Sequence, residues 1–251
     1  MSISILLGIV VLLLFGALQI LYTVRFTAGR RPRFRTISVF NALHGQMGRA
    51  IESGKALHVS IGTGGISGED TATTLAGVSI VEYLAGEAAA SGIAPVITTG
   101  DPTALLLAQD TLRRPLARQG DLSGYQPLSA RLLALAPFQY AAATMDYLAH
   151  DQVSANIMVG GFGPEIGLIE HETGKQELSQ LTGAADARAL ALMTVSHENV
   201  LIGEEIYAAK AYLQARPQHL ASLRAQDVLR WLIVIGVIAW FVLNLIQQAV
   251  H

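Results

Sequence analysis

The strongest chemical pattern in the sequence is a set of three glycine-rich segments: GTGGISG (62–68), TTGDP (98–102) and VGGFGPE (159–165). Glycine lets a backbone approach a ligand and turn its N–H groups inward, and helix N-termini add positive partial charge. Such segments suit a nucleotide or a small anionic ligand. The candidate ligand-binding residues are Gly62, Thr63, Gly64, Gly65, Ser67, Gly68, Thr99, Gly100, Asp101, Gly160, Gly161 and Gly163.

Two interpretations of these glycines stay open. The first segment does not complete G-x-G-x-x-G, because Ser67 occupies the third glycine position and the next glycine is Gly68. No G-x-x-x-x-G-K-[ST] phosphate loop is present, so the spacing names no cofactor. Tight turns between strands and helices also use glycine for steric reasons alone.

Catalytic and metal signatures are weak. The sequence has no cysteine, no G-x-S-x-G and no H-E-x-x-H, and an enzymatic role would depend on Asp101, Glu165 and Glu204. A predicted strand over EHE (170–172) places the two glutamates opposite the histidine, so we expect no metal site. We interpret SHENVLIGEE (196–205) as a helix start with acids in its first turns.

These segments must be positioned by alternating strands and helices. Apolar runs predict strands at 57–62, 95–100, 131–136 and 154–161, and helical patterns predict helices at 37–54, 71–91, 101–120 and 137–151. This alternation indicates an α/β fold, a Rossmann-like three-layer domain with a mostly parallel sheet. Because ligands bind outside the carboxyl ends of parallel strands, we expect the glycine-rich segments to share one edge.

The end of this domain follows a different pattern. We predict a β-hairpin in which IGLIEHE (166–172) and QELSQL (176–181) flank a TGK turn. We predict a further strand at 189–195 and a helix over 199–217.

Both ends of the chain are apolar enough to span a membrane. Residues 3–24 and 231–250 are uncharged runs of 22 and 20 residues, and about 20 helical residues cross a hydrocarbon core. A cleaved signal peptide is the alternative for the first run, but the positive charge follows the apolar core instead of preceding it. We predict transmembrane helices at 1–24 and 228–250, a basic juxtamembrane segment at 25–36 and an α/β domain at 37–222.

The flanking charge predicts the orientation. Arginines stay on the cytoplasmic side, and Arg216, Arg224 and Arg230 precede the second run. We therefore predict a two-pass membrane protein with a cytoplasmic domain and both termini outside. Five arginines follow the first run, and they serve either as a topology anchor or as a site for anionic lipid headgroups: Arg25, Arg30, Arg31, Arg33 and Arg35.

The charge balance of the middle of the chain excludes one class of partner. Residues 37–222 hold 10 Lys and Arg against 18 Asp and Glu, so their net charge is 10 − 18 = −8. Nucleic-acid binding requires a basic face, so we expect no nucleic-acid partner.

The motifs HVSIGTGGISG, ITTGDPT, VGGFGPEIGLI and LIGEEIYAAKAYL, between two terminal membrane helices, resemble a family of bacterial membrane proteins classed as a domain of unknown function. The resemblance covers nearly the whole chain. It implies a Rossmann-like domain between two terminal transmembrane helices and a location in a bacterial inner membrane, and it assigns no catalytic residue.

We weigh three functions. The first is a membrane-anchored homo-oligomeric scaffold or assembly protein, because small residues on the spans permit close packing of membrane helices; these are Gly8, Gly16, Ala17, Gly236 and Ala239. The alternative is a membrane-tethered module that binds a nucleotide or anion at the glycine-rich edge. A tethered enzyme is third, and a channel or transporter is not expected, because the spans have few polar residues.

Overall fold

The computed structural model describes residues 3–29, 32–176 and 178–250 of the chain. The chain divides into two compact units. One unit is the body, Thr36–Leu213, and the other joins Met1–Arg35 with Gln214–His251.

Strands and helices alternate through most of the body. The strands are β1 (Ala56–Gly62), β2 (Val96–Thr99), β3 (Ala130–Leu132), β4 (Val153–Gly161), β5 (Ser179–Ala184) and β6 (Val200–Ile202). The helices are α1 (Ile3–Thr27), α2 (Ser38–Ser53), α3 (Thr71–Ser91), α4 (Pro102–Gln119), α5 (Pro137–His150), α6 (Ile166–Lys175), α7 (Ala187–Ser196), α8 (Ala209–Gln214) and α9 (Pro217–Val250).

The described strands form one parallel sheet in the order β3-β2-β1-β4-β5-β6. The chain winds outward from β1 to β3 and then returns to build β4 to β6 on the other side. This topology confirms the predicted α/β fold. The strands β1 and β4 are almost wholly buried, as expected for parallel strands with both faces covered.

The predicted β-hairpin is wrong. Its first arm is the helix α6, and its second arm overlaps β5, which pairs with β4 in parallel. The buried residues of this helix are Ile166, Ile169, Glu170 and Thr173, which follow the helical spacing of three and four.

The other predictions for the last third of the domain also need correction. The strand predicted at 189–195 is the helix α7. The helix predicted over 199–217 begins as β6, continues as a short 3₁₀ helix at Gly203–Ala208 and only then becomes α8. The strand predicted at 131–136 is shorter than expected, since β3 ends at Leu132.

Two helices in the described part of the chain are long and apolar enough to cross a membrane, Ser4–Thr27 and Pro217–Val242. They belong to α1 and α9, which pack against each other. Hardly any of their apolar windows is buried, whereas a core helix of a soluble protein would be mostly buried. Length, composition and exposure are therefore compatible with membrane insertion.

Candidate functional site

The glycine-rich segments meet at the carboxyl edge of the sheet. The N–H of Thr63 donates to the carbonyl of Gly161 at 2.9 Å, and the N–H of Gly100 donates to the carbonyl of Gly62 at 2.8 Å. The loops after β1, β2 and β4 are thus joined directly. They lie where the winding reverses between β1 and β4, the place where ligands bind in open α/β sheets.

The glycines at this edge also pack against one another. A Cβ atom on Gly62 would lie 2.2 Å from the carbonyl oxygen of Gly161, and one on Gly161 would lie 2.8 Å from the Cα of Gly64. A Cβ atom on Gly64 would lie 2.7 Å from the Cβ of Asp70. Close approach of backbones accounts for these three glycines without any ligand.

Not every glycine in the candidate set is enclosed in this way. A Cβ atom on Gly68 would meet no described atom within 4 Å. Gly65 packs against the Asp101 carboxylate, and Gly163 packs against the carboxylate of Glu165. The candidate set therefore contains an enclosed centre, and among these glycines Gly68 alone faces open space.

Asp101 caps the N-terminus of α4. Its Oδ1 accepts from the N–H groups of Thr103 at 2.7 Å and Ala104 at 3.1 Å, and also from the hydroxyl of Thr103. Partial burial opposes ionisation of Asp101, but these hydrogen bonds outweigh it and lower the pKa of the carboxyl below its usual value. The side chain is committed to a helix cap.

Asp186 caps the N-terminus of α7 in the same way. Its Oδ1 accepts from the N–H groups of Arg188 at 2.8 Å and Ala189 at 3.1 Å. The Arg188 guanidinium binds the same carboxylate, and this contact together with the cap lowers the pKa of Asp186 to about 2.

Two further helices, α3 and α6, are directly preceded by an acidic residue. Glu165 precedes α6, is buried, and accepts from the N–H of Gly163 at 2.8 Å. Asp70 precedes α3 without a side-chain capping bond. Carboxylates therefore cap α4 and α7, and an acidic residue also directly precedes α3 and α6, where the helix dipole favours negative charge. Their combined negative charge counts against an anionic ligand and leaves neutral or cationic ligands as the better match.

The three acids considered for catalysis follow different strands. Asp101 follows β2, Glu165 follows β4 and Glu204 follows β6. At about 4.8 Å per strand, the first and last lie roughly 19 Å apart across the sheet. This spacing does not form the close acid–base pair that general catalysis requires.

The body also contains a buried polar chain that the sequence analysis did not identify. It runs across β1, β2, β4 and α5, and the atoms at each step are 2.5 to 2.9 Å apart. Its members are Ser60, Tyr140, Thr98, His58 and Asn156. The available signal was the alternation of His58 and Ser60 with apolar residues along β1.

One consistent set of donors runs through this chain. The Nδ1–H of His58 donates to Asn156 Oδ1, and its Nε2 accepts from the Thr98 hydroxyl. Tyr140 then donates to Thr98 and receives from Ser60. Burial lowers the pKa of His58 to about 4, so the ring is neutral at physiological pH; the bond to Asn156 opposes that shift and the Arg131 charge adds to it.

The EHE segment and the SHENVLIGEE segment are brought together. Glu170 lies on α6 and is buried, and its Oε2 pairs with Nε2 of His197, which follows α7. The strand assignment of 170–172 is thus corrected, and with it the predicted directions of these side chains. No group of three or more metal-ligating side chains is present among the described residues.

The arginines after the first apolar run are only partly described. Arg25 lies in the last turn of α1, and Arg25, Arg33 and Arg35 are exposed. Arg30 and Arg31 lie outside the described residues. Their role in lipid binding stays a prediction.

One family matches the chain. A model described as "Domain of unknown function (DUF6754)" matches residues 2–251, which is almost the full length. Neither a curated protein nor a solved structure matches the chain.

Proposed function

The chain belongs to the family "Domain of unknown function (DUF6754)", and from that premise we propose that it is a membrane-anchored assembly protein that forms homo-oligomers. In this proposal α1 and α9 hold the protein in the bilayer. The α/β body supplies a surface through which copies of the chain associate.

The observation that carries the proposal is the exposed apolar surface around the edge strand β3. Leu128, Leu135 and Phe138 are 80%, 64% and 62% exposed, and all three lie within eleven residues of chain. β3 stands at the end of the sheet, so one of its sides has no strand partner within the sheet. Exposed apolar patches and unpaired strand edges favour association with another chain.

The membrane helices give a second contact surface. A Cβ atom on Gly8, Gly16 or Gly236 would meet no described atom within 4 Å, so these glycines face open space among the described residues. Small residues on open helix faces allow membrane helices of different copies to approach closely.

The flanking charges support a cytoplasmic body with both termini outside a bacterial inner membrane. The exposed Arg25 lies in the last turn of α1, and the exposed Arg33 and Arg35 follow that helix, where anionic headgroups attract basic residues by about 1 kcal/mol each. Bound anionic lipid should accordingly fall when Arg33→Gln and Arg35→Gln are combined. Mass spectrometry of lipids that copurify with the full chain measures it, and unchanged lipid content would contradict this role.

The test of assembly compares masses of full-length chains in detergent micelles by light scattering. Phe138→Asp and Leu135→Asp place charges on the β3 surface and should lower the mass of the wild-type oligomer. Val195→Asp is the matched control, because Val195 is 88% exposed on α7, away from that surface, and should leave the mass unchanged. A wild-type mass of one chain at every concentration would refute the proposal.

A second candidate function is a membrane-tethered module that binds or senses a small molecule at the glycine-rich edge. The observation that favours it is the convergence of the three segments at the point where the winding reverses. Calorimetry of the full chain with adenosine, AMP and phosphate tests it directly, because adenosine is neutral whereas AMP and phosphate are anions, which the carboxylates at this edge disfavour. Gly68→Leu should block binding without disturbing the fold, because the position is open, and titrations without heat for any of these compounds would count against this candidate.

A further inference from the structure

A polar cleft of about 580 Å³ opens at the edge of the sheet opposite the glycine-rich segments. It lies where α6 and α7 end and where β5 begins, which is the amino-end edge of a parallel sheet. Its volume falls within the range of small-molecule sites. The cleft is a separate feature from the site described above and does not depend on assembly.

The cleft contains a contact between a buried glutamate and a mostly buried histidine. The Glu170 side chain is 3% exposed and the His197 side chain is 15% exposed, and Glu170 Oε2 pairs with His197 Nε2. The two residues come from different helical connections, 27 positions apart in the chain. Burying a carboxylate requires that its remaining lone pairs be satisfied as well.

Two acceptor oxygens on side chains that line the cleft have no partner among the described residues. They are Oε1 of Glu170 and Oε1 of Gln180, and both residues are more than nine-tenths buried. Buried acceptors of this kind are rare in native proteins, and each of them requires a hydrogen-bond donor. A carboxylate and an amide oxygen in the same lining match an ammonium group best, because an ammonium carries three donors and a positive charge.

Lys175 supplies positive charge in the rest of the lining, and its side chain is 57% exposed. Its Nζ lies 3.4 Å from Glu172 Oε2, an exposed contact that leaves other ammonium donors free. Lys175 suits the acidic end of a ligand whose ammonium end lies against Glu170. We propose that the cleft binds a free amino acid, with its ammonium at Glu170 and Gln180 and its carboxylate toward Lys175.

The experiment is calorimetric titration of the full-length chain in detergent with each standard L-amino acid. Methylammonium and acetate serve as half-ligands that carry only one of the two charged groups. At least one amino acid should bind, and it should bind more tightly than either half-ligand. Binding of no amino acid, or acetate binding as tightly as the best amino acid, would overturn the proposal.

Three variants connect binding to the cleft. Glu170→Gln removes the carboxylate and should raise the Kd about tenfold or more, where a factor of ten corresponds to about 1.4 kcal/mol. Glu198→Gln is the matched control, an exposed acid beside His197 that does not line the cleft, and should keep the wild-type Kd.

A filling variant keeps the test valid if Glu170→Gln does not fold. Gly174 lines the cleft on α6, and a Cβ atom there meets no described atom within 4 Å. Gly174→Leu should therefore fold like the wild type and lose the amino acid. A folded Gly174→Leu protein with unchanged affinity would place the ligand elsewhere and would refute the cleft.

Discussion

At the scale of single residues, His58 is the group whose burial has the clearest consequence. Its pKa falls from 6.5 to about 4 because the ring is enclosed, whereas in the unfolded chain it returns to its ordinary value. The unfolded state therefore binds the proton more readily. The contribution of neutral His58 to the free energy of unfolding is fully present above pH 6.5, and it is lost as the pH falls from 6.5 towards 4.

The loss attributed to His58 should reach on the order of 3 kcal/mol across that window. Urea unfolding of the wild type and of His58→Gln at a series of pH values measures it, since the variant should show a smaller slope above pH 5, where the carboxylates titrate little. An NMR titration of the imidazole needs no variant. If the imidazole titrated near its ordinary pKa, the neutral His58 of the buried hydrogen-bonded chain would be contradicted.

The glycines at the carboxyl edge of the sheet differ in how close their neighbours would lie to the methyl group of an alanine substitution. Gly62 has φ of +83° and would place a Cβ atom 2.2 Å from Gly161 O, whereas Gly68 has open space. Gly62→Ala should lose at least about 1–2 kcal/mol of stability from the backbone conformation alone. Thermal unfolding in detergent measures it, and Gly68→Ala should melt with the wild type; equal melting of the two variants would contradict the enclosed centre.

At the scale of elements, an enclosed glycine and an open glycine can be compared within the single helix α3. A Cβ atom on Gly77 would lie 2.2 Å from the carbonyl oxygen of Val159, so this glycine lets α3 lie directly on β4. Gly86 is exposed and open. Gly77→Ala should destabilise the body, whereas Gly86→Ala should stabilise it by roughly 0.5–1 kcal/mol, because glycine weakens a helix interior.

The two substitutions should thus have opposite signs in denaturant unfolding. A stabilising Gly77→Ala would show that α3 does not rest on β4 at this point. A destabilising Gly86→Ala would show that the outer face of α3 is covered.

The first two-thirds of the body could be predicted because local signals agreed there. Asp101 and Pro102 mark the start of α4, and Gly54 and Gly92 end α2 and α3 with positive φ values of 66° and 77°. Long helices between short apolar runs then leave few alternatives to a parallel sheet. Caps and periodicity act over short distances, so the sequence alone reports them.

The last third was mispredicted because its helices are short and their buried faces are partly polar. In α6 the buried face includes Glu170 and Thr173, which do not register as apolar positions. In α7 the buried residues are only Ala189 and Met193. Tertiary contacts decide the conformation of such segments.

The glycine-rich edge and the Glu170–His197 contact could likewise be predicted only in part from the sequence. The convergence of the glycine-rich segments followed from the fold class, but the enclosure of Gly62 depends on how closely β1 approaches β4. The pairing of Glu170 with His197 depends on packing between α6 and α7. No spacing rule along the chain reports contacts of that kind.

At the scale of the whole molecule, charge is divided in a way that suits a membrane surface. Residues 37–222 have a net charge of −8, obtained as 10 − 18, whereas the five arginines of residues 25–35 lie next to the first apolar run. On the proposed function, anionic lipid would attract the arginines and repel the acidic residues of the body, so the contacts with headgroups would come from the segments beside the helices.

The absence of cysteine from the sequence makes the central claim directly measurable with single introduced cysteines. The measurement is labelling by a membrane-impermeant maleimide in intact bacterial spheroplasts and again after lysis, at Gly124→Cys in the body and at Ser2→Cys and His251→Cys at the two ends. Two spanning helices with arginines on the inner side predict labelling of both ends in intact spheroplasts and of Gly124→Cys only after lysis. Labelling of Gly124→Cys in intact spheroplasts, or recovery of the full-length chain in the soluble fraction, would contradict the account.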